Sequence, residues 1–547
     1  MSGTTQSPGT SAPAPTVPGV GAPFPTVTAP NGGVRVFACI NGKGSSPASG
    51  GVEATGPDSP NQNGVGTSSS CGIQEAIARL PPGGGTVEVV GNGVGLVTRT
   101  ILVPDRVRIH IAAGVTLQLA ANLNDDMFRN ARQPVGIPRQ GGDVGIQFVI
   151  DGAIDGSRDR QTNTAPNVSN GIRLTLCSEV YLEVRGVIRN FEAKGLLLDA
   201  CHDFQIPYLH AESCGLPANL NANIELIDCF RGRVGEVVSS GSAGDGMHIA
   251  GTASPRAVQG LVPAGATSIV IAPNVAPRWY VGTYLLLGGM DAATGAASLS
   301  PSELVQITGW SGNTLRISPA TAYPHAHNES MNGATFDISV DKVTVVGNAT
   351  QGFALESGVE RINVGVVFAD TRNNVNSLGC VIQGRHHRLG RFSVIGASHQ
   401  GLVIRSDGNY AQAGDIEIQE VEALDNAQTG VLLKGVRGVR LGKVSAKRNG
   451  RSAGGPGAAG VRLTDDVIVR TSYSCSEVSI TELWSTDDQA TKTQQFGLVV
   501  EGTSPSGIRV LGGDCGGNGM RPVLLSSPGV RDISVTVGGQ PVGSGPT

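Results

Sequence analysis

Between residues 171 and 251 one pattern of apolar and polar positions occurs four times: Gly171-Ile-Arg-Leu, Gly195-Leu-Leu-Leu, Asn223-Ile-Glu-Leu and Gly246-Met-His-Ile. The starts are 24, 28 and 23 residues apart. Within each unit, apolar residues fill the first and third places after the Gly or Asn, which is the period of a strand. A strand this short cannot bury its own apolar face, but equal strands recurring every ~20–30 residues do so by stacking. The pattern returns at Gly352, Gly379, Gly401, Gly430, Gly460 and Gly497. It predicts ten rungs of a solenoid, interrupted by a 106-residue jump between Gly246 and Gly352.

A second strand follows many rungs, as in Val180-Tyr-Leu-Glu-Val, Ile416-Glu-Ile and Val439-Arg-Leu. Val and Ile suit parallel strands buried inside a coil. Arg189-Asn190 and Lys447-Arg-Asn-Gly450 supply Asn and Gly for corners that need positive φ. Ahead of the rungs, residues 72–80 form a short amphipathic helix with Ile73, Ile77 and Leu80 on one face, stopped by Pro81-Pro82. Such a helix would cover the open end of the stack.

The stretch IQEAIARLPPGGGTVEVV, followed by ILVPDRVRIHIAAGVTLQL and VIDGAIDGSRD, resembles the amino-terminal part of pectate-lyase-like and polygalacturonase-like right-handed parallel β-helices, a group that includes bacteriophage tailspikes. The resemblance runs over roughly 70–540 except 255–336. It implies an all-β, right-handed parallel β-helix with three strands per coil. It leaves the chemistry open, because this scaffold carries lyases, hydrolases, epimerases and non-enzymatic adhesins.

The predicted organisation is a Pro/Thr/Gly-rich arm at 1–32, an attachment or wrapping segment at 33–70, the first part of the β-helix at 71–254, an inserted β-domain at 255–336, and the second part at 337–547. The insert breaks the period, carries strands of its own (SIVIAP, TYLLLGG, ELVQITGW) and holds Trp279, Tyr280, Tyr284, Trp310 and Tyr323. Its Trp279 and Trp310 are candidate sugar-stacking residues, against the alternative that they form the insert's own core.

Composition narrows the function. The chain of 547 residues has 79 Gly without the every-third period of collagen, and only 15% charged residues. Forty basic against 44 acidic residues, without a basic cluster, exclude a nucleic-acid reading, and no apolar run is long enough for a membrane span. Residues 1–30 lack the basic start and apolar core of a secretory leader. That leads to the expectation of a processed product or of release without a leader, as for a virion protein. Of nine Cys, Cys177, Cys201 and Cys229 each follow their rung start by six residues. They should stack as a column, either of buried thiols or with a disulfide between neighbours, since adjacent coils lie ~4.8 Å apart.

On the outward positions of the first four rungs lie Arg173, Asp199, Glu225 and His248, with Asp228 after its strand and Asp245 before the next. Glu225 and His248 should be neighbours on adjacent coils. Glycoside hydrolysis needs two carboxyl groups at ~5 Å or ~6.5–9.5 Å, which Asp199, Glu225, Asp228 and Asp245 can offer. Lyase chemistry needs a base and a cation beside the uronate, for which Arg173, His248 or a bound Ca²⁺ would serve; no other cofactor or metal is implied. Of the Asn-x-Asp, Asp-Asp, Gly-His-Gly and Arg-Ile-Lys set of polygalacturonase-like enzymes, only Gly244-Asp245-Gly246 stands in the rungs, and the Asp-Pro-His of alginate epimerases is missing. A satisfied surface ladder is the competing reading. His386-His387 and His325-Ala-His327 read as solvated corners.

Further along, the outward second position turns apolar: Ala354, Val381, Val403, Leu432 and Val499. Exposed, this stripe would be an interface, and three copies around an axis would bury it. These features together point to a tailspike-like or tail-fibre-like virion protein, a homotrimer that recognises cell-surface or other acidic polysaccharide, with depolymerisation as a second activity to test and with residues 1–70 reaching other virion proteins. Alternatives are a stand-alone extracellular lyase or hydrolase and a non-catalytic structural spike.

Overall fold

Every coil of the chain has three faces, and the first coils show two of them as separate strands. Gln147–Ile150 pairs with the first half of Tyr181–Arg189, and Ala153–Asp155 pairs with its second half. Later coils run both faces as one bent strand, as in His202–Glu212, Phe230–Ser240, Thr335–Val346 and Val359–Asp370. The bend brings backbones close: a Cβ on Gly186 would lie 1.6 Å from the Gly152 carbonyl oxygen, so only glycine fits there. The third face is the stack of short strands read from the sequence. In it Ile172, Leu196, Ile224, Met247 and Phe353 are successive partners, all parallel. The chain is a right-handed parallel β-helix.

This computed structural model describes residues 34–40, 52–53, 68–133, 141–162, 168–218, 221–252, 256–272, 279–298, 301–372, 377–406, 412–526, 532–537 and 540–542. The arm at 1–32 therefore lies outside the described residues. Within the 33–70 segment, Arg35–Cys39 pairs with Gly85–Val90 of the first coil.

The inward positions hold as read. Leu174, Leu198, Leu226, Ile249, Leu355, Ile382, Ile404 and Leu433 belong to one continuous core with the long strands. Among the described residues the short-strand sheet has thirteen members, extending the ten rungs at both ends with Ile101–Val103, Phe128–Asn130 and Arg521–Leu525. The helix is shorter than expected, Ile73–Ala78, and puts Ile73 and Ile77 into the core. Its start is closed by the Ser70 hydroxyl, which accepts from Gln74 N–H and donates to the Glu75 carboxylate.

Three expectations need correction or refinement. Cys177, Cys201 and Cys229 are free, buried thiols, each directed at a backbone carbonyl rather than bonded to a neighbour. Corner residues of positive φ include Asn190 and Arg448, whereas Asn449 builds an internal amide ladder with Asn426 and Gln494. The apolar outward column is not exposed: Val381, Val403 and Leu432 pack with Leu378 in a small cluster sealed within the single chain, and Val499 packs with Phe496. That column no longer argues for a trimer.

The 106-residue jump is filled by a six-stranded antiparallel sheet, Arg256–Ala257 to Glu329–Gly333. The stack of coils continues beneath it, because His248 pairs directly with Ala354. This sheet has its own core of Val258, Ile269, Trp279, Leu285, Leu287 and Val305. It also docks on the solenoid: Tyr284, Leu286 and Leu304 cover Phe230 and Phe336, whose rings stack at 5.3 Å. At its far edge Tyr473 donates its hydroxyl to the Gly295 carbonyl and Arg470 N–H donates to the Thr294 carbonyl.

Candidate functional site

The parallel register fixes where the outward side chains meet. Arg173, Leu197, Glu225, His248 and Ala354 stand in one column, one coil apart. His248 Nδ1 lies 3.2 Å from Glu225 Oε1, and its Nε2 lies 3.6 Å from Glu356 Oε2. Lys194, in the turn before Leu196–Asp199, places Nζ 2.7 Å from Glu225 Oε2. Arg405, two rungs beyond Glu356, donates to Glu356 Oε1 at 3.2 Å. Lys194, Glu225, His248, Glu356 and Arg405 thus alternate in charge across the outside of the short-strand sheet. Lys194 and Glu225 are buried, at 3% and 8% exposure.

Burial and pairing set the protonation of this ladder. Burial would raise the Glu225 carboxyl, but the Lys194 ammonium and His248 outweigh it and hold the group at about 2. Burial would lower His248, yet its bond to Glu225 and the fields of Glu225, Asp245 and Glu356 raise it to about 9. At neutral pH Glu225 is an anion and His248 an imidazolium held between two carboxylates, so His248 is no free base.

The other predicted carboxylates sit at the two ends of the short strands. Asp245 precedes its strand, where Thr350 Oγ1 and the Gln351 N–H donate to Oδ1. Burial raises its carboxyl. Asp228 follows its strand at the corner from which the inserted sheet departs, and accepts from the Thr252 N–H and hydroxyl. Burial first, then the charge of Asp199, pushes Asp228 up to about 7 against those hydrogen bonds. Asp199 itself accepts the Tyr280 hydroxyl of the inserted sheet at 2.9 Å. The site therefore divides into a central ladder around Glu225 and His248 and an acidic corner of Asp199 and Asp228 beneath the insert.

Arg173 is not part of either group. It lies two coils from Glu225, 4.0 Å from Asp126. Trp279 is corrected from sugar platform to core: it is 1% exposed, inside the insert. Trp310 leans on that same core and donates its indole N–H to the Gly312 carbonyl at 2.6 Å. The histidine corners divide: His386 and His327 are exposed as read, whereas His387 and His325 are buried. His387 is fully buried, accepts from the Ile362 N–H, bonds the Gln383 carbonyl, and is lowered to about 4, first by burial. His325 is buried between Glu303 and Glu329 at 2.6 Å each.

Lys194, Glu356 and Arg405 were missed as site residues. Lys194 stands in a turn outside the strand pattern. Glu356 is four residues into a rung that the sequence puts 106 residues from its neighbour. Following the fourth-place column of Asp199, Ile227 and Ala250 across the gap leads to it.

The Ca²⁺ of a lyase does not fit these donors. Among the described residues no three His, Cys, Asp or Glu side chains converge as metal ligands. The carboxylates here are engaged by Lys194, His248, Thr252 and Tyr280, so no step is assigned to a metal.

No family model and no curated protein matches the sequence. Solved structures that it resembles include the A-module of a mannuronan C-5 epimerase from Azotobacter vinelandii, with a TM-score of 0.42, 14% identity, and coverage of 84% of this chain and 94% of that one. A tailspike protein of bacteriophage CBA120 aligns with a TM-score of 0.38 and 12% identity over 86% of this chain and 59% of that one. A polygalacturonase from Erwinia carotovora aligns with a TM-score of 0.37 and 12% identity over 90% and 100%. Likenesses this distant carry no argument about the site.

Proposed function

We propose that the outer face of the short-strand sheet, from Lys194 to Arg405 beside the inserted sheet, binds a polysaccharide, and that the chain is a tailspike-like glycan-recognising solenoid acting on a virion or outside the cell. One observation carries this. The same outward column is filled by Val381, Val403 and Leu432 a few coils on, so this fold needs no charges there. Burying a Lys-Glu-His ladder costs desolvation that apolar residues avoid. A row of buried donors and acceptors on a solenoid wall is instead suited to sugar hydroxyls, which need several directed partners. The test is retention on a panel of capsular and cell-wall polysaccharides, with Glu225→Gln and Asp199→Asn measured singly. Loss of retention in both supports the reading. Wild-type retention in both, or no retention by the native chain, overturns it.

A second reading, depolymerisation, is favoured by the acidic corner. Asp228 holds a proton near neutrality while Asp199 stands beside it, which is the division of labour that acid–base cleavage of a glycosidic bond requires. New reducing ends, or unsaturated products absorbing in the ultraviolet, would report it.

A further inference from the structure

A cavity lies at the opposite corner of the coils from the insert. It is about 660 Å³ in volume and is lined by Arg158, Asp159, Gln161, Glu192, Leu216 and Ala243, among others. A cavity of this size is in the range of small-ligand sites. Its unusual member is Glu192, which is 4% exposed and whose Oε2 has no hydrogen-bond partner among the described residues.

The backbone holds this carboxyl in place. Asn190 takes a left-handed φ of 57°, Phe191 is fully buried, and the Ala193 and Lys194 N–H groups donate to the Ser169 carbonyl and to Asn170 Oδ1. Among the described residues one guanidinium lines the cavity, and it is turned away, since Arg158 donates to the Ser213 and Gly215 carbonyls. Burial raises the Glu192 carboxyl to about 7. Buried polar groups are nearly always paired, and an exception calls for an explanation such as a bound ligand. Leu216 and Ala243 give the cavity an apolar side, while Glu192 and Asp159 give it acceptors.

We infer that this corner cavity is a separate binding site for a single sugar unit, which donates a hydroxyl or ammonium hydrogen to Glu192 and rests its C–H face on Leu216 and Ala243. The inference stands whether or not the outer face binds polymer. It is tested by saturation-transfer NMR on the full chain with glucose, galactose, N-acetylglucosamine and glucosamine as probes. The neutral sugars and glucosamine distinguish a hydroxyl donor from an ammonium donor.

The expected result is saturable transfer to at least one probe. It should be lost in Glu192→Gln and in Leu216→Trp, which fills the cavity and spares the carboxyl, and kept in Arg391→Gln, an exposed position outside both sites. The Leu216→Trp arm decides the matter if Glu192→Gln fails to fold. Absence of transfer to every probe overturns the proposal, as does transfer that survives Leu216→Trp or disappears in Arg391→Gln. Polymer retention is read separately, so failure of this site and failure of the outer face remain distinct.

Discussion

His248 makes the ladder sensitive to alkali. Its folded pKa of about 9 lies above the ordinary value of 6.5, so its contribution is complete below 6.5 and is lost as pH rises through 9. The shift corresponds to about 3 kcal/mol at most. Between pH 7.5 and 9.5 the native chain should lose stability in urea unfolding, and His248→Gln should lack that limb. Equal slopes in the two proteins would contradict the pairing. Glu225 acts in the opposite direction: its stabilisation is present above 4.5 and lost as pH falls toward about 2. Replacing it by Gln leaves Lys194 buried without its carboxylate, which should cost ~3–5 kcal/mol. A loss under ~1 kcal/mol would show that the pair is solvated.

The alternation of each rung was legible in the sequence because a period of two leaves little freedom once Gly or Asn marks the start. The three extra rungs were not, because Ile101–Val103, Phe128–Asn130 and Arg521–Leu525 lack that leading residue. Proximity of Glu225 and His248 followed from coil spacing, whereas burial did not. Lys194 is hidden by a turn whose packing is set by distant coils, and the burial of Asp228, itself read as a candidate, by a corner that Thr252 closes. Aromatic residues misled for the same reason: Trp279 looks alike in sequence whether it fills a core or faces a sugar.

The inserted sheet is expected to be separable from the coils, because each coil contacts only its neighbours and His248 already pairs with Ala354. Replacing 256–333 by a short Gly-Ser linker should preserve the β-sheet circular dichroism. It should also raise binding of a hydrophobic dye, since Phe230 and Phe336 lose the cover of Tyr284, Leu286 and Leu304. Loss of the β signal would show that the insert is part of the folding core.

Across the whole molecule the decisive contrast lies within one column. It is charged at Glu225 and His248, and apolar and sealed at Val381, Val403 and Leu432. Because the apolar part is closed within one chain, Val403→Glu should lower the melting temperature at every protein concentration, by the equivalent of ~3 kcal/mol or more. A penalty that appears only at concentrations where the native chain associates would restore the column as an interface.

We propose that the charged part of this column serves a ligand and not the fold. It is tested most directly by the triple variant Lys194→Met, Glu225→Leu, His248→Val, which carries the apolar pattern into the ladder. Its retention of the polysaccharide bound by the native chain is measured after a thermal melt. The predicted result is a melting temperature at or above that of the native chain together with loss of retention. A variant that melts below the native chain yet retains the polysaccharide would contradict the claim.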